Sequence, residues 1–179
     1  MAQFELIQGD ITALDVDVVV NAANTGLLGG GGVDGAIHRA AGPALLEECR
    51  KLPVNAYGAR CPTGEARITG AGNMKCKYII HTAGPVYGKS GGNDAEKLAS
   101  CYRSALMLAG QYKAASIAFP NISCGIYGYP LEEAAGIALS TVRETCAGLM
   151  SLKKVIFCCF DSRNYEIYKA KMPAKGSTN

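Results

Sequence analysis

Short apolar runs separated by glycine-rich turns set the pattern of this chain. Residues 4–8, 16–22, 66–69, 78–82, 116–119 and 155–160 are apolar and often β-branched, which predicts six strands. The segments VDVVVNA, YIIHT and VIFCCF are apolar almost without interruption instead of alternating, so these strands are expected to be covered on both faces. Helical patterns lie between them over 33–41, 44–51 after Pro43, 95–112 after a cap at Asn93 or Asp94, 131–150 after Pro130, and 165–172. This order predicts an α/β fold, a three-layer α/β/α sandwich around a mixed, largely parallel sheet. Residues 1–172 are expected to form a single domain and 173–179 a flexible tail.

Composition narrows the class. The chain has 179 residues, 49% hydrophobic and 18% charged, which excludes disorder, collagen and coiled coil. A chain of this size buries roughly 70% of its unfolded surface without needing disulfides or metals. The net charge is +3, and the basic residues are scattered apart from Lys169, Lys171 and Lys175, which argues against a nucleic-acid partner. No apolar run approaches 18 residues, and the start MAQFELIQGD lacks the pattern of a secretory signal. A cytoplasmic protein with no membrane partner is expected. The eight cysteines include no C-x-x-C pair and sit mostly in apolar segments, so neither a structural zinc nor a disulfide framework is expected.

Sheets of this kind bind ligands outside the carboxyl ends of their strands. Four loops qualify: GDIT (9–12), NAANTGLLGGGGVDG (21–35), AGPVYGKSGG (83–92) and NISCGIYGYP (121–130). Residues 83–90 fit a loose Walker A form, and IFCCFD ending at Asp161 resembles a Walker B strand, so a P-loop NTPase is the runner-up. A P-loop requires a helix to open at its Lys-Ser, aiming N–H groups at the phosphates; here Gly91, Gly92 and Asn93 follow instead. GGGVDG (30–35) fits G-x-G-x-x-G, but residues 21–28 separate it from its strand, and Glu47 and Glu48 fall in a helical stretch where a Rossmann acid should end a strand.

Four glycines at 29–32 ahead of a helix beginning near Val33 let backbone N–H groups approach a ligand closely. SCGIYGYP (123–130) supplies a second such turn, and two loops of this kind can clasp one diphosphate. Together with GDIT, VVNAAN (19–24) and GGGGVDGAIHRAAG (29–42), in this order from residue 4 to about 171, the chain resembles a macrodomain of the MacroD type. The resemblance implies a three-layer α/β/α fold that binds ADP-ribose. It also implies hydrolysis of the ester between ADP-ribose and an Asp or Glu side chain of ADP-ribosylated proteins, and deacetylation of O-acetyl-ADP-ribose. No metal or cofactor is implied, and a monomer is expected.

Carried over residue by residue, Asp10 accepts from the adenine amino group, the N–H of Ile11 meets a ring nitrogen, and Phe160 lies against the base. Taken alone, Asp10 also suits a turn cap and Phe160 suits core packing. Asn24 and Asp34 match the distal-ribose and catalytic positions; a carboxylate there can orient or deprotonate a water. Asn21 is expected to brace the loop. His38, four residues after Asp34, shares its helical face and either pairs with it or is simply packed or solvated. Tyr127 is expected against the distal ribose, with backbone from Gly32, Val33, Ser123, Gly125, Ile126 and Gly128 at the phosphates. Cys124 reads as a spacer, because no Arg follows six residues later, and His81 reads as structural. The competing function is a reader that binds ADP-ribose without cleaving; Asp34 in GGVDGAIH argues for the enzyme.

Overall fold

A computed structural model describes residues 2–173 of the chain. Among these, six strands form one sheet: β1 (Gln3–Gln8), β2 (Val18–Ala23), β3 (Ala66–Gly70), β4 (Tyr78–Ala83), β5 (Ser116–Phe119) and β6 (Lys154–Cys159). Their spatial order is β1-β6-β5-β2-β4-β3. All neighbours run parallel except the edge strand β3, which is antiparallel to β4. The helices are α1 (Gly32–Ala41), α2 (Pro43–Arg50), α3 (Asp94–Gln111), α4 (Leu131–Cys146) and α5 (Ser162–Lys171), with a 3-10 turn at Ile11–Ala13. This is the expected mixed α/β/α sandwich.

The uninterrupted apolar strands resolve into two faces with period two. Val18, Val20, Ile80, Ile117, Phe119, Val155 and Phe157 join the core beneath α3, α4 and α5. Val19, Ile79, Ala118, Ile156 and Cys158 join a second core beneath α1 and α2. Both layers are apolar because helices cover both faces, so the four inner strands β6, β5, β2 and β4 lack a wet side. No helix among the described residues is long and apolar enough to cross a membrane.

Several element ends differ from expectation for local reasons. β2 starts at Val18, not 16, because Asp17 is tied across the sheet end: its carbonyl accepts from Lys77 N at 2.9 Å and its carboxylate from Ala115 N at 2.8 Å. α4 stops at Cys146, not 150, where Gly148 N bonds back to the Thr145 carbonyl at 3.2 Å and turns the chain. α5 opens at Ser162, not 165, because the Asp161 side chain accepts from Asn164 N at 2.8 Å and caps it. β6 ends at Cys159, leaving Phe160 outside the strand. Asn93 occupies the cap position of α3 without a side-chain bond. Residues 174–179 of the expected tail lie outside the described residues.

Candidate functional site

A cavity of about 710 Å³ runs along the carboxyl ends of β1, β6, β5, β2 and β4. Four strand spacings separate β1 from β4, about 19 Å, so the cavity is elongated across the sheet. The strand order therefore ranks the loops along it: GDIT and Phe160 at one end, SCGIYGYP in the middle, and Asn24 with the glycine run towards the other.

At the β1 and β6 end, Asp10 lines the cavity while one of its oxygens caps the 3-10 turn. Oδ1 accepts from Thr12 N at 2.9 Å and from Thr12 Oγ1 at 2.7 Å. These bonds hold the Asp10 carboxyl below its usual value, so it is an anion with Oδ2 left over as acceptor. The capping role of Asp10 is thus observed, and it leaves Oδ2 open for the recognition expected of this residue. Ile11 is buried beside it, and Phe160 lines the same end 85% exposed. A phenyl ring so exposed does not serve the core, and its surface is open to the cavity.

The middle of the cavity is backbone. Ser123 holds a left-handed φ of 63° and is anchored by its Oγ donating to the Pro85 carbonyl at 2.8 Å. From there Cys124, Gly125, Ile126 and Tyr127 follow with no acceptor for their N–H groups among the described residues, before Gly128 N closes the turn on the Gly125 carbonyl at 3.0 Å. Ile126 is 96% exposed. Opposite, α1 begins at Gly32, whose φ is +56°, and its first N–H groups have no intrahelical partner. An added Cβ at Gly31 or Gly32 meets nothing within 4 Å. A stretch of free N–H groups and a helix N-terminus facing one elongated cavity can hold a diphosphate.

Towards β2 and β4 the side chains converge. Asp34, in the first turn of α1, is 4% exposed, and its Oδ1 accepts from Asn21 Nδ2 at 2.9 Å. Its Oδ2 has no hydrogen-bond partner among the described residues. That oxygen faces Gly30, where a Cβ would come within 3.0 Å of it and 3.4 Å of Asn24 Nδ2. Glycine at 30 is what lets the backbone pass between the two groups. His38 Nε2 stands 3.4 Å from Asp34 Oδ1 but makes no hydrogen bond, so it is an electrostatic neighbour only when protonated.

Of the residues expected at the site, Asp10, Ile11, Asn24, Gly32, Val33, Asp34, Ser123, Gly125, Ile126, Tyr127 and Phe160 line this one cavity. Asn21, His38 and Gly128 do not. Asn21 is fully buried and holds the far end of the 21–35 segment at Asp34; the turn between them is braced by Asn24, whose Oδ1 accepts from Gly26 N and Leu27 N and whose Nδ2 donates to the Gly29 carbonyl. Arg39, Asn121, Asp161 and Asn164 also line the wall and escaped the sequence reading. The Asp-x-x-Asn spacing of 161–164 was a readable cap signal; nothing local marked Arg39 or Asn121.

Residues 83–90 do not take up the geometry of a P-loop. Lys89 lies in a turn, its N–H on the Val86 carbonyl, and α3 opens only at Asp94 after Gly91 and Gly92 at φ +58° and +90°. Cys124 lines the cavity, but burial pushes its thiol up to about 12, so it remains protonated and is no nucleophile. Among the described residues no group of three or more His, Cys, Asp or Glu is gathered as a metal site would require.

The Macro domain family model matches residues 20–138. A macro domain-containing protein of Chlorobaculum tepidum is 55% identical over 168 residues, 94% of this chain and 94% of that protein. A Klebsiella pneumoniae protein named O-acetyl-ADP-ribose deacetylase is 52% identical over 167 residues, 93% of this chain and 94% of that one. Among solved structures, a mutant Oceanobacillus iheyensis macrodomain with ADPR has a TM-score of 0.90 at 46% identity, covering 95% of this chain and 91% of its own. A Trypanosoma brucei macrodomain in complex with ADP-ribose has a TM-score of 0.83 at 43% identity, covering 94% and 68%. Matched by that family model over more than half its length, and by these relatives over nearly all of it, the chain belongs to the Macro domain family.

Proposed function

We propose that this protein binds ADP-ribose and hydrolyses the ester joining it to Asp or Glu side chains of mono-ADP-ribosylated proteins, and that it also deacetylates O-acetyl-ADP-ribose. The carrying observation is Asp34: a buried carboxylate with one oxygen tied by Asn21 and the other free beside Asn24, on the wall of a cavity lined by two runs of unpaired backbone N–H groups. Both reactions are one chemistry. Water adds to the ester carbonyl, the bond from carbonyl carbon to ribose oxygen breaks, and the ribose leaves as the hydroxyl, taking a proton. Asp34 Oδ2 orients or accepts the proton of that water, help that is typically worth ~10² to 10⁴ in rate. Asp10 and Phe160 select adenine: a carboxylate suits the amino group of adenine and repels the carbonyl of guanine at the same edge.

The names of the relatives support this reading, one being called an O-acetyl-ADP-ribose deacetylase and two solved neighbours holding ADP-ribose. We take the protein to be a cytoplasmic monomer that works without metal or cofactor. The test is calorimetry with ADP-ribose and with ATP and magnesium, then incubation with acid-linked and serine-linked ADP-ribosylated substrates. Metal-independent binding of ADP-ribose and release from the acid-linked substrate are expected. Tighter, magnesium-dependent binding of ATP contradicts the proposal; binding without release leaves a reader.

A further inference from the structure

β2 and β4 carry a polar pair within an otherwise apolar layer. Asn21 and His81 are register partners, both fully buried, on the sheet face that packs against α1 and α2. Asn21 Nδ2 is 2.9 Å from Asp34 Oδ1 and 3.1 Å from His81 Nδ1. His81 Nε2 is 2.9 Å from Thr69 Oγ1, and Thr69 Oγ1 donates to the Gly70 carbonyl at 2.9 Å.

The direction of every bond in this chain follows from one carboxylate. A carboxylate only accepts, so Asn21 must turn its NH2 to Asp34. The second hydrogen of that NH2 then points at His81 Nδ1, which must carry a lone pair. The ring proton is therefore on Nε2 and goes to Thr69 Oγ1, whose own hydrogen is already committed to Gly70. In the other tautomer Nδ1–H would oppose the Asn21 NH2. Turning the amide over would relieve that clash but set Asn21 Oδ1 against the Asp34 carboxylate.

We infer that His81 and Thr69 are positioning residues for Asp34: Thr69 holds His81 in its Nε2–H tautomer, which keeps the Asn21 amide facing Asp34, fixing one carboxylate oxygen and leaving the other free towards Gly30 and Asn24. The inference rests on the reading of Asp34 as the group that handles the attacking water. The other groups around the ring leave this sense intact. Cys49 Sγ of α2 is 3.9 Å from Nε2. Glu48 beside it is engaged by Gly70 N at 3.0 Å, and Arg67, opposite His81 on β3, turns to Glu65 at 3.2 Å. Burial, reinforced by His38 of α1, pushes the ring pKa down to about 3, so the neutral form persists at working pH.

Imidazole ¹⁵N spectroscopy of the unmutated protein reads the tautomer directly. A ring protonated at Nε2 and bare at Nδ1 is expected, unchanged between pH 8 and 5. Thr69→Val removes the acceptor that holds it. It should disturb that single tautomer and slow single-turnover release of ADP-ribose by roughly 10- to 100-fold, while affinity for ADP-ribose stays within about twofold; Thr69→Ser should restore both. A merely structural Thr69 would lower the melting temperature without splitting rate from affinity. An Nδ1-protonated ring in the unmutated protein overturns the inference even if Thr69→Val fails to fold, and so does a folded Thr69→Val that cleaves at the wild-type rate. Should the unmutated protein bind ADP-ribose and cleave nothing, the reading of Asp34 fails instead. The ring spectra then decide the inference alone: a tautomer disturbed by Thr69→Val upholds it, and an undisturbed one overturns it.

Discussion

The side-chain amide of Asn21 donates to Asp34 Oδ1 at 2.9 Å, across 13 positions of sequence, and joins β2 to the first turn of α1 inside the protein. Asn21 is fully buried and Asp34 is 4% exposed, so neither group can recover the bond from bulk water. Removing one partner leaves the other paying its full desolvation cost. Asn21→Leu is therefore expected to destabilise the fold by at least ~1 to 3 kcal/mol, the cost being larger for charged partners. Urea unfolding at pH 7.5 checks it, and a midpoint equal to that of the wild type would contradict the pairing.

The two glycines that open α1 separate space from backbone strain. Gly31 has φ −91° and ψ −172°, extended backbone that any residue adopts, whereas Gly32 has φ +56°; a Cβ at either meets nothing. Gly31→Glu should thus fold normally while adding bulk and negative charge to the cavity wall. Loss of two charge-assisted bonds of ~1.5 to 3 kcal/mol each weakens binding by about 100-fold or more. Calorimetry with ADP-ribose is the check, and unchanged affinity would move the diphosphate away from this loop. Gly32→Glu should show the same loss of affinity plus a lowered melting temperature from its left-handed φ.

Much of the fold was readable because strand and helix periods are local properties. The continuous apolar runs VDVVVNA and VIFCCF announced strands buried on both sides, and both are. Element ends were less readable: Asp17 delays the start of β2 through a bond to Ala115, far away in sequence, and Gly148 turns the chain after α4 through a bond back to Thr145 that the helical pattern does not announce. The same distinction runs through the site. The glycine runs were visible because glycine itself marks backbone approach. The parts played by Asn21 and Asn24 were not, since two asparagines three residues apart look alike until β2 turns one into the core and leaves the other on the cavity wall. His81 read as a structural residue for the same reason; its bonds to Asn21 and Thr69 exist only once β2, β4 and β3 are side by side.

Acid should weaken the fold through His81. Its pKa is lowered from 6.5 to about 3 by burial, with repulsion from His38 second. Between those values the unfolded chain binds a proton that the native protein does not, so stability rises with pH across this window. The contribution is complete above about pH 6.5 and is lost as pH falls towards 3, at up to about 1.4 kcal/mol per pH unit. Asp10, whose carboxyl is held below 3.8 by Thr12, acts in the same sense only as the pH falls below 3.8. Urea midpoints measured from pH 7.5 to 4.5 should fall, and His81→Asn, which keeps an acceptor towards Asn21 without a titrating ring, should flatten the slope. A slope unaltered in His81→Asn would assign the acid sensitivity elsewhere.

Asp34 carries the central claim: its Oδ2 has no hydrogen-bond partner among the described residues, and in the proposed reaction it acts on the transition state more than on the bound ligand. The direct measurement is single-turnover release of ADP-ribose from an Asp- or Glu-linked substrate by the unmutated protein and by Asp34→Ala, with the affinity of each for free ADP-ribose measured alongside. The expected result is release by the unmutated protein, a loss of ~10² to 10⁴ in rate for Asp34→Ala, and a much smaller change in affinity. Cleavage by Asp34→Ala at the wild-type rate, or tight binding by the unmutated protein with no cleavage at all, would contradict it.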